Sequence, residues 1–291
     1  AIDSGALSYD DVVTGSAHAA GMGGSQIWLK ENEQMTVRDL LKAVCIVSGN
    51  DAAVALAEHL AGSEDAFVER MNARAQELGM NDTHFVNCTG LPAERHLTSA
   101  YDIALMSREL ILRHPDIRQF TTVWMDSLRG GESMLVNTNK LIRFYDGATG
   151  LKTGSTGSAG YCLSATAEKN GMELIAVVLK GKTSDERFSD AKSLLNYGFS
   201  NYALVTPEPE DGIPPVPVVL GRQDSITPVP ERSEPLLLEK ALASQVQTAV
   251  TVDESVQAPV KAGQRLGTMT ATAGERLLAE IPLVAPEDVP A

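Results

Sequence analysis

Two triplets, Ser48-Gly49-Asn50 and Lys152-Thr153-Gly154, stand about a hundred residues apart and hold residue types suited to acyl transfer. Such chemistry at a serine needs a nucleophilic hydroxyl, a base to take its proton, donors for the oxyanion and a group that protonates the leaving amine. A substrate ending in a free carboxylate also needs a fixed cation. Lys152 is the candidate cation, and Thr153 carries a hydroxyl for the same carboxylate. Gly154 has no side chain, so a ligand can lie against the backbone there, and the Ser155 N–H is a candidate oxyanion donor. The N–H groups of such a strand can be offered to an extended peptide, as in strand addition. Ser48 is a candidate proton relay to the leaving group, and Asn50 a candidate holder of a substrate amide. Taken singly, each triplet reads as an ordinary turn and Lys152 as a solvated strand lysine. Their order, and the elements around them, carry the argument.

Those elements differ in kind. Thr36-Val37-Arg38-Asp39 has the form of a helix start, a Thr cap with an acid three places on, and Leu40, Leu41, Val44 and Val47 follow at helical spacing. Ser48-Gly49-Asn50 interrupts the pattern, and 51–60 resumes it, so the triplet is a corner between two apolar helices. Ser63-Glu64-Asp65 caps another helix running to Leu78-Gly79. A further one covers about 99–113 and ends at His114-Pro115. The period then changes. Residues 161–167 and 172–180 read as strands joined through Asn170-Gly171, a strong hairpin signal, and the segment holding Lys152 is expected to form the neighbouring strand. Residues 184–197 read as a helix closing on Gly198. Prolines crowd 207–235, and 246–252 and 277–284 are β-branched runs. The expected architecture is α+β: an antiparallel sheet with a helical lobe over 1–202, then a small all-β domain over 203–291.

Bulk properties exclude several classes. A net charge of −14 over 291 residues, with no run of Lys or Arg, argues against a nucleic-acid partner. No apolar stretch reaches the roughly 20 residues a membrane span needs. The three cysteines (Cys45, Cys88, Cys162) lack Cys-x-x-Cys spacing, and the five histidines lack His-x-x-x-His spacing. They are read as free or buried thiols and as structural or surface rings, with no metal and no cofactor expected. Ala1-Ile2-Asp3-Ser4-Gly5 reads as the tail of a helix capped by Gly5, which sets the expectation that the chain is truncated at its front.

Ser-x-x-Lys, Ser-Asp-Asn and Lys-Thr-Gly form the signature set of class A β-lactamases and penicillin-binding proteins. Two of the three stand here in order, with glycine at 49. The segments around them resemble the low-molecular-mass penicillin-binding proteins that are D-alanyl-D-alanine carboxypeptidases. They include Leu41 to Ala53, Ser63 to Val68 with Met71-Asn72, Thr83-His84-Phe85 and Gly90-Leu91. Asn137-Thr138-Asn139-Lys140-Leu141, Gly147 to Gly154, Ala159-Gly160-Tyr161 and Leu194 to Phe199 extend the match over about residues 1–200. The β-rich remainder resembles the family's small C-terminal domain. The resemblance implies a β-lactamase/transpeptidase-like fold and hydrolysis of the terminal D-alanine from peptidoglycan stem peptides through an acyl-enzyme. It also implies acylation by β-lactams, a place outside the cytoplasm after export, and peripheral membrane attachment through a segment outside this chain. It places Arg187 near the substrate carboxylate and gives Asn50 the further task of holding the lysine of Ser-x-x-Lys.

That motif, which carries the family's nucleophile, does not precede Ser48. The Ser189-Asp190-Ala191-Lys192 match comes after Lys152-Thr153-Gly154, inside a helix, in the wrong order and context. No nucleophile is assigned, and residues 1–291 by themselves are expected to be inactive. Two alternatives stand beside this reading: a class A-like β-lactamase, against which Gly49 and the β-rich C-terminal domain weigh, and a non-catalytic cell-wall binding protein.

Overall fold

The computed structural model describes residues 1–291 and divides into two compact units. One comprises Ala1–Lys169 and Glu173–Asn196, the other Asn170–Met172 and Tyr197–Ala291.

In the first unit, hydroxyl caps start the helices. Thr36 Oγ1 accepts from Asp39 N at 3.1 Å, opening α1 (Val37–Lys42). Ser63 Oγ accepts from Ala66 N at 3.1 Å and Ser99 Oγ from Asp102 N at 3.2 Å. Each such bond satisfies an otherwise orphaned N–H and is worth about 1 kcal/mol. Between α1 and α2 (Asn50–Ala61) the chain does not stay α-helical. Ala43–Val47 forms one π-helical turn that ends on Ser48 in the left-handed region, at φ 62° and ψ 40°. Leu40, Ala43 and Ile46 from before the corner and Val54, Ala55 and Leu56 from after it share one buried cluster. α3 (Glu64–Glu77) and α4 (Ala100–Arg113) complete the helical lobe.

The sheet has three strands, β1 (Ala148–Thr156), β2 (Gly160–Lys169) and β3 (Met172–Gly181), in that spatial order. β1 is therefore an edge strand. It pairs antiparallel with β2, placing Lys152 opposite Ser164, Thr153 opposite Leu163 and Gly154 opposite Cys162. Asn170 and Gly171, at φ 52° and 76°, give β2 and β3 the left-handed pair of a two-residue hairpin turn. Ser107 and Ser164 hydroxyls meet at 2.7 Å and tie α4 to β2. α5 (Ser184–Asn201) does not close on Gly198 but runs on to Asn201. A glycine inside a helix costs only about 1 kcal/mol, and the Asn201 amide donates to the Tyr197 carbonyl at 2.8 Å, satisfying a carbonyl of the last turn.

The second unit is β-rich. β4 (Val246–Val252), β5 (Arg265–Ala273) and β6 (Arg276–Val284) form an antiparallel sheet in the order β6-β5-β4, extended beyond β6 by the short strand Val229–Pro230. The two-residue period puts Met269, Ala271 and Ala273 on one buried face. A second cluster gathers Val216, Val218, Ile226, Val260, Leu266 and Val289. Pro230 falls on an edge strand, where its missing N–H breaks no ladder, whereas Pro217 and Pro282 lie in strands paired on both sides. No helix is long and apolar enough to cross a membrane.

Candidate active site

The helical corner and the edge strand face each other. Ser48, Gly49, Asn50 and Lys152 line one cavity of about 280 Å³, closed on its far side by Phe85, Cys88 and His96. A larger cavity of about 640 Å³ shares Lys152, Phe85 and His96 and follows β1 through Thr153, Gly154, Ser155 and Thr156. The two triplets, distant in sequence, thus open on one continuous set of walls.

Local geometry explains the corner. Gly49 sits at φ −63° and ψ 112°, an extended conformation open to any residue, so its role is spatial. A Cβ there would lie 3.1 Å from Asp51 Oδ1 and 3.6 Å from the Ala43 Cβ. Asp51 is fully buried. Its carboxylate accepts from Ile27 N at 3.0 Å and Leu29 N at 2.9 Å, and from Ala52 N at 2.9 Å. The segment 23–29 is thereby clipped to the start of α2. Asn50 is held by the same segment: its N–H donates to Ser25 O at 2.8 Å and its Nδ2 to Gly23 O at 2.8 Å. Gly24, at φ 79°, approaches so closely that a Cβ would fall 2.7 Å from Asn50 Nδ2.

On the strand side, Lys152 Nζ donates to the Thr153 carbonyl at 2.7 Å. Burial disfavours its charged form, and the Arg187 guanidinium adds to this against an opposing pull from Cys45. Its pKa is lowered to about 8. Cys45, on the π-helical turn, is pushed up to about 11 by burial and stays a thiol. Thr153 is buried, and its hydroxyl meets that of Thr138 at 2.6 Å. Gly154 and Ser155 are exposed.

Arg187 lines neither cavity. Its Nη1 donates to the carbonyls of Gly154 at 3.0 Å and Cys162 at 3.1 Å, bracing the β1–β2 pair at the register where those residues face each other. The guanidinium stacks on Phe188 and Tyr161, 4.8 and 5.5 Å from the ring centres. It therefore meets the site through the strand backbone. Ser189, of the out-of-order Ser-x-x-Lys match, is exposed on α5 and belongs to neither cavity.

Sequence reading gave no role in the site to several contributors, although Asn137 to Leu141 stood among the segments that carry the resemblance. Thr138 N–H donates to Ile46 O at 3.0 Å, so this one residue touches the Ser48 corner through its backbone and Thr153 through its hydroxyl. Asn139 holds the loop in place, its Nδ2 donating to Gly150 O at 3.1 Å. The recurrence of asparagine at 137 and 139 was the available signal. Asp51 reads in sequence as an ordinary acid in a first helical turn, and nothing local marks it as buried. His96 accepts from Val86 N at Nδ1, 3.3 Å away, and burial lowers its pKa, so the ring is held neutral.

Fold and site together define a transpeptidase-like α+β domain followed by a small β domain, with a serine-bearing helical corner opposed to an edge-strand lysine. The family model for D-alanyl-D-alanine carboxypeptidases matches residues 1–183, and that for the C-terminal domain of penicillin-binding protein 5 matches residues 210–291. The chain belongs to the D-alanyl-D-alanine carboxypeptidase family of low-molecular-mass penicillin-binding proteins. It is 42% identical over 294 residues to the D-alanyl-D-alanine carboxypeptidase DacF of Bacillus subtilis, covering 99% of this chain and 75% of that protein. Against DacA of Escherichia coli the identity is 31% over 301 residues, covering 100% and 74%. Among solved structures, penicillin-binding protein 6B from Escherichia coli superposes with a TM-score of 0.76 at 32% identity, covering 98% of this chain and 82% of that one. Penicillin-binding protein D2 from Listeria monocytogenes, in its ampicillin-bound form, gives 0.62 at 33% identity, covering 68% and 80%.

Proposed function

We propose that this cleft binds a peptidoglycan stem peptide ending in D-Ala-D-Ala, laid antiparallel along the open edge of β1. The cationic form of Lys152 and the hydroxyl of Thr153 hold the terminal carboxylate. Gly154 leaves room for the peptide backbone, and the Ser155 N–H is one of two oxyanion donors. Arg187 acts as a positioning residue, fixing the Gly154 carbonyl and with it the pitch of the strand. A serine attacks the penultimate D-Ala carbonyl, forming an ester and breaking the peptide bond to the last residue. Ser48 passes a proton to the departing amine, Asn50 holds a substrate amide, and water then hydrolyses the ester. β-Lactams, bound by the Listeria relative, enter the same groove. The work is done where peptidoglycan lies, outside the cytoplasmic membrane.

The observation that carries this reading is the shared cavity of Ser48, Asn50 and Lys152. No Ser-x-x-Lys precedes Ser48 in residues 1–291, so the attacking serine is not assigned among them. Titration calorimetry with a diacetylated L-Lys-D-Ala-D-Ala tripeptide tests the groove. Binding that survives Lys152→Ala undiminished overturns the assigned grip. Labelling residues 1–291 with a fluorescent penicillin tests the chemistry. No stoichiometric adduct is expected, and one mapped to Ser48 or Ser189 would replace the assignment.

A further inference from the structure

The strand that carries Lys152 begins with an irregularity. Ala148 pairs with Ala167, but the next ladder pair is Gly150 with Thr166, so Thr149 is an extra residue, a bulge. Bulges re-aim the side chains that follow them. With Thr149 absorbed into a regular ladder, each later residue of β1 would pair one place further along β2. Leu151 would then stand opposite Ser164, and Lys152 opposite Leu163. A slip of one residue turns every side chain to the other face, so Lys152 would leave the face it now shares with the cleft.

Two neighbouring strands and a short helix pin the bulge. The Thr149 hydroxyl donates to Glu173 Oε1 on β3 at 2.9 Å and lies 2.7 Å from the Thr166 hydroxyl on β2. The Thr149 carbonyl accepts from Thr121 Oγ1 at 2.8 Å, at the end of the short helix Arg118–Thr121. Arg118, which opens that helix, donates to Glu173 Oε2 at 2.5 Å. The Glu173 carboxylate therefore joins both sides of the clamp. Thr121 and Thr166 are buried, and the Glu173 side chain is 14% exposed. A Cβ at Gly150, the next residue, would lie 3.0 Å from Thr121, so the strand leaves the bulge pressed against the same helix. Apolar residues in such a row can stabilise a fold at least as well as a buried polar network. They do not choose a register.

We propose that Glu173 is a positioning residue for Lys152: by holding the Thr149 bulge it fixes the one register of β1 in which Lys152 lines the cleft opposite the helical corner. The role rests on the carboxypeptidase reading only for what Lys152 grips. Glu173 acts through the strand and not by its charge, because the charges that bear on Lys152 are those of Cys45 and Arg187.

The test follows the Lys152 side chain of residues 1–291 by NMR through a pH titration, its signal assigned by its loss in Lys152→Arg. Calorimetry with the diacetylated L-Lys-D-Ala-D-Ala tripeptide runs beside it. A glutamine at 173 accepts from Arg118 or from Thr149 but turns an NH2 toward the other. In Glu173→Gln the strand loosens and admits water. The Lys152 midpoint should then rise from about 8 toward 10.5, by roughly one pH unit, and tripeptide affinity should fall about tenfold. Thr149→Val should do the same while leaving the Arg118–Glu173 pair intact, so the answer does not depend on Glu173→Gln folding. Thr149→Ser keeps the hydroxyl and should keep wild-type values. The effects of Glu173→Gln and Thr149→Val should not add, since both cut one link. An unmoved Lys152 midpoint in both variants, whatever their melting temperatures, would make the row a packing feature and overturn the proposal. A midpoint moved by Glu173→Gln but not by Thr149→Val would also overturn it, because the carboxylate would then act by charge. The titration needs no ligand, so the two readings fail separately. Shifted midpoints with a wild type that does not bind the tripeptide would keep the positioning role and sink the groove. Tripeptide binding undiminished in both variants would keep the groove and sink the positioning role.

Discussion

The hydroxyls of Thr138 and Thr153 lie 2.6 Å apart, and the N–H of Thr138 donates to Ile46 O, two residues before Ser48. One residue therefore joins the helical wall of the cleft, through its backbone, to the strand wall, through its hydroxyl. Thr138→Val keeps the shape and leaves the buried Thr153 hydroxyl without this partner, a loss of about 1–2 kcal/mol. Denaturant unfolding should show that loss, and calorimetry should show weaker tripeptide binding. Thr138→Ser should restore most of both. Equal stability of the Val and wild-type proteins would mean that the bond does not tie the walls.

Lys152 gives the site a pH dependence with a defined sign. Its folded pKa, about 8, lies below the ordinary lysine value of 10.5. The unfolded chain holds the proton more tightly, so this lysine costs stability at neutral pH, and the cost is relieved as pH rises from about 8 to 10.5. Carboxylate binding selects the charged form. Affinity for the tripeptide should fall by about tenfold per pH unit above pH 8, with proton uptake on binding visible in buffers of different ionisation enthalpy. A flat profile from pH 7 to 10 would remove Lys152 from the grip.

Asp51 has no contact with the peptide path, yet its carboxylate satisfies three backbone N–H groups in the dark of the corner. Asp51→Ala strands all three and should cost about 3 kcal/mol. Hydrogen exchange at Ile27 and Leu29 should accelerate before global unfolding, because the 23–29 segment loses its clip.

Arg187 braces two carbonyls with one nitrogen while stacking on two rings. Arg187→Lys keeps the charge but lacks the planar fork and the stacking face. A loss of about 2 kcal/mol is expected, with faster exchange at the Gly154 and Ser155 amides and weaker peptide binding at unchanged pH dependence. If the pH profile moved while exchange did not, Arg187 would be acting on the ligand by charge.

Most of the scaffold was legible because its determinants are local. Hydroxyl caps at Thr36, Ser63 and Ser99 announce their helices, and Asn170-Gly171 announces its hairpin. The pairing of the two triplets was legible only through the resemblance, since nothing near Lys152 points to a serine a hundred residues earlier. What escaped was set by tertiary contact. The π-helical turn leaves no mark in a run of apolar residues. Asp51 is an unremarkable acid until the 23–29 segment folds over it, and the run to Asn201 reflects an amide reaching one carbonyl, a choice that Gly198 alone argues against.

A π turn spends one residue more than an α turn on each hydrogen-bonded ring. Ala43–Val47 is such a turn, and Ser48 follows it directly. Shortening this stretch by a single residue would let it relax to an ordinary helix, but would swing position 48 by about 100° around the axis, out of view of Lys152. The corner is thus counted rather than merely composed. Its side chains can be exchanged for others of like size, whereas its residue number is fixed by where the hydroxyl must look.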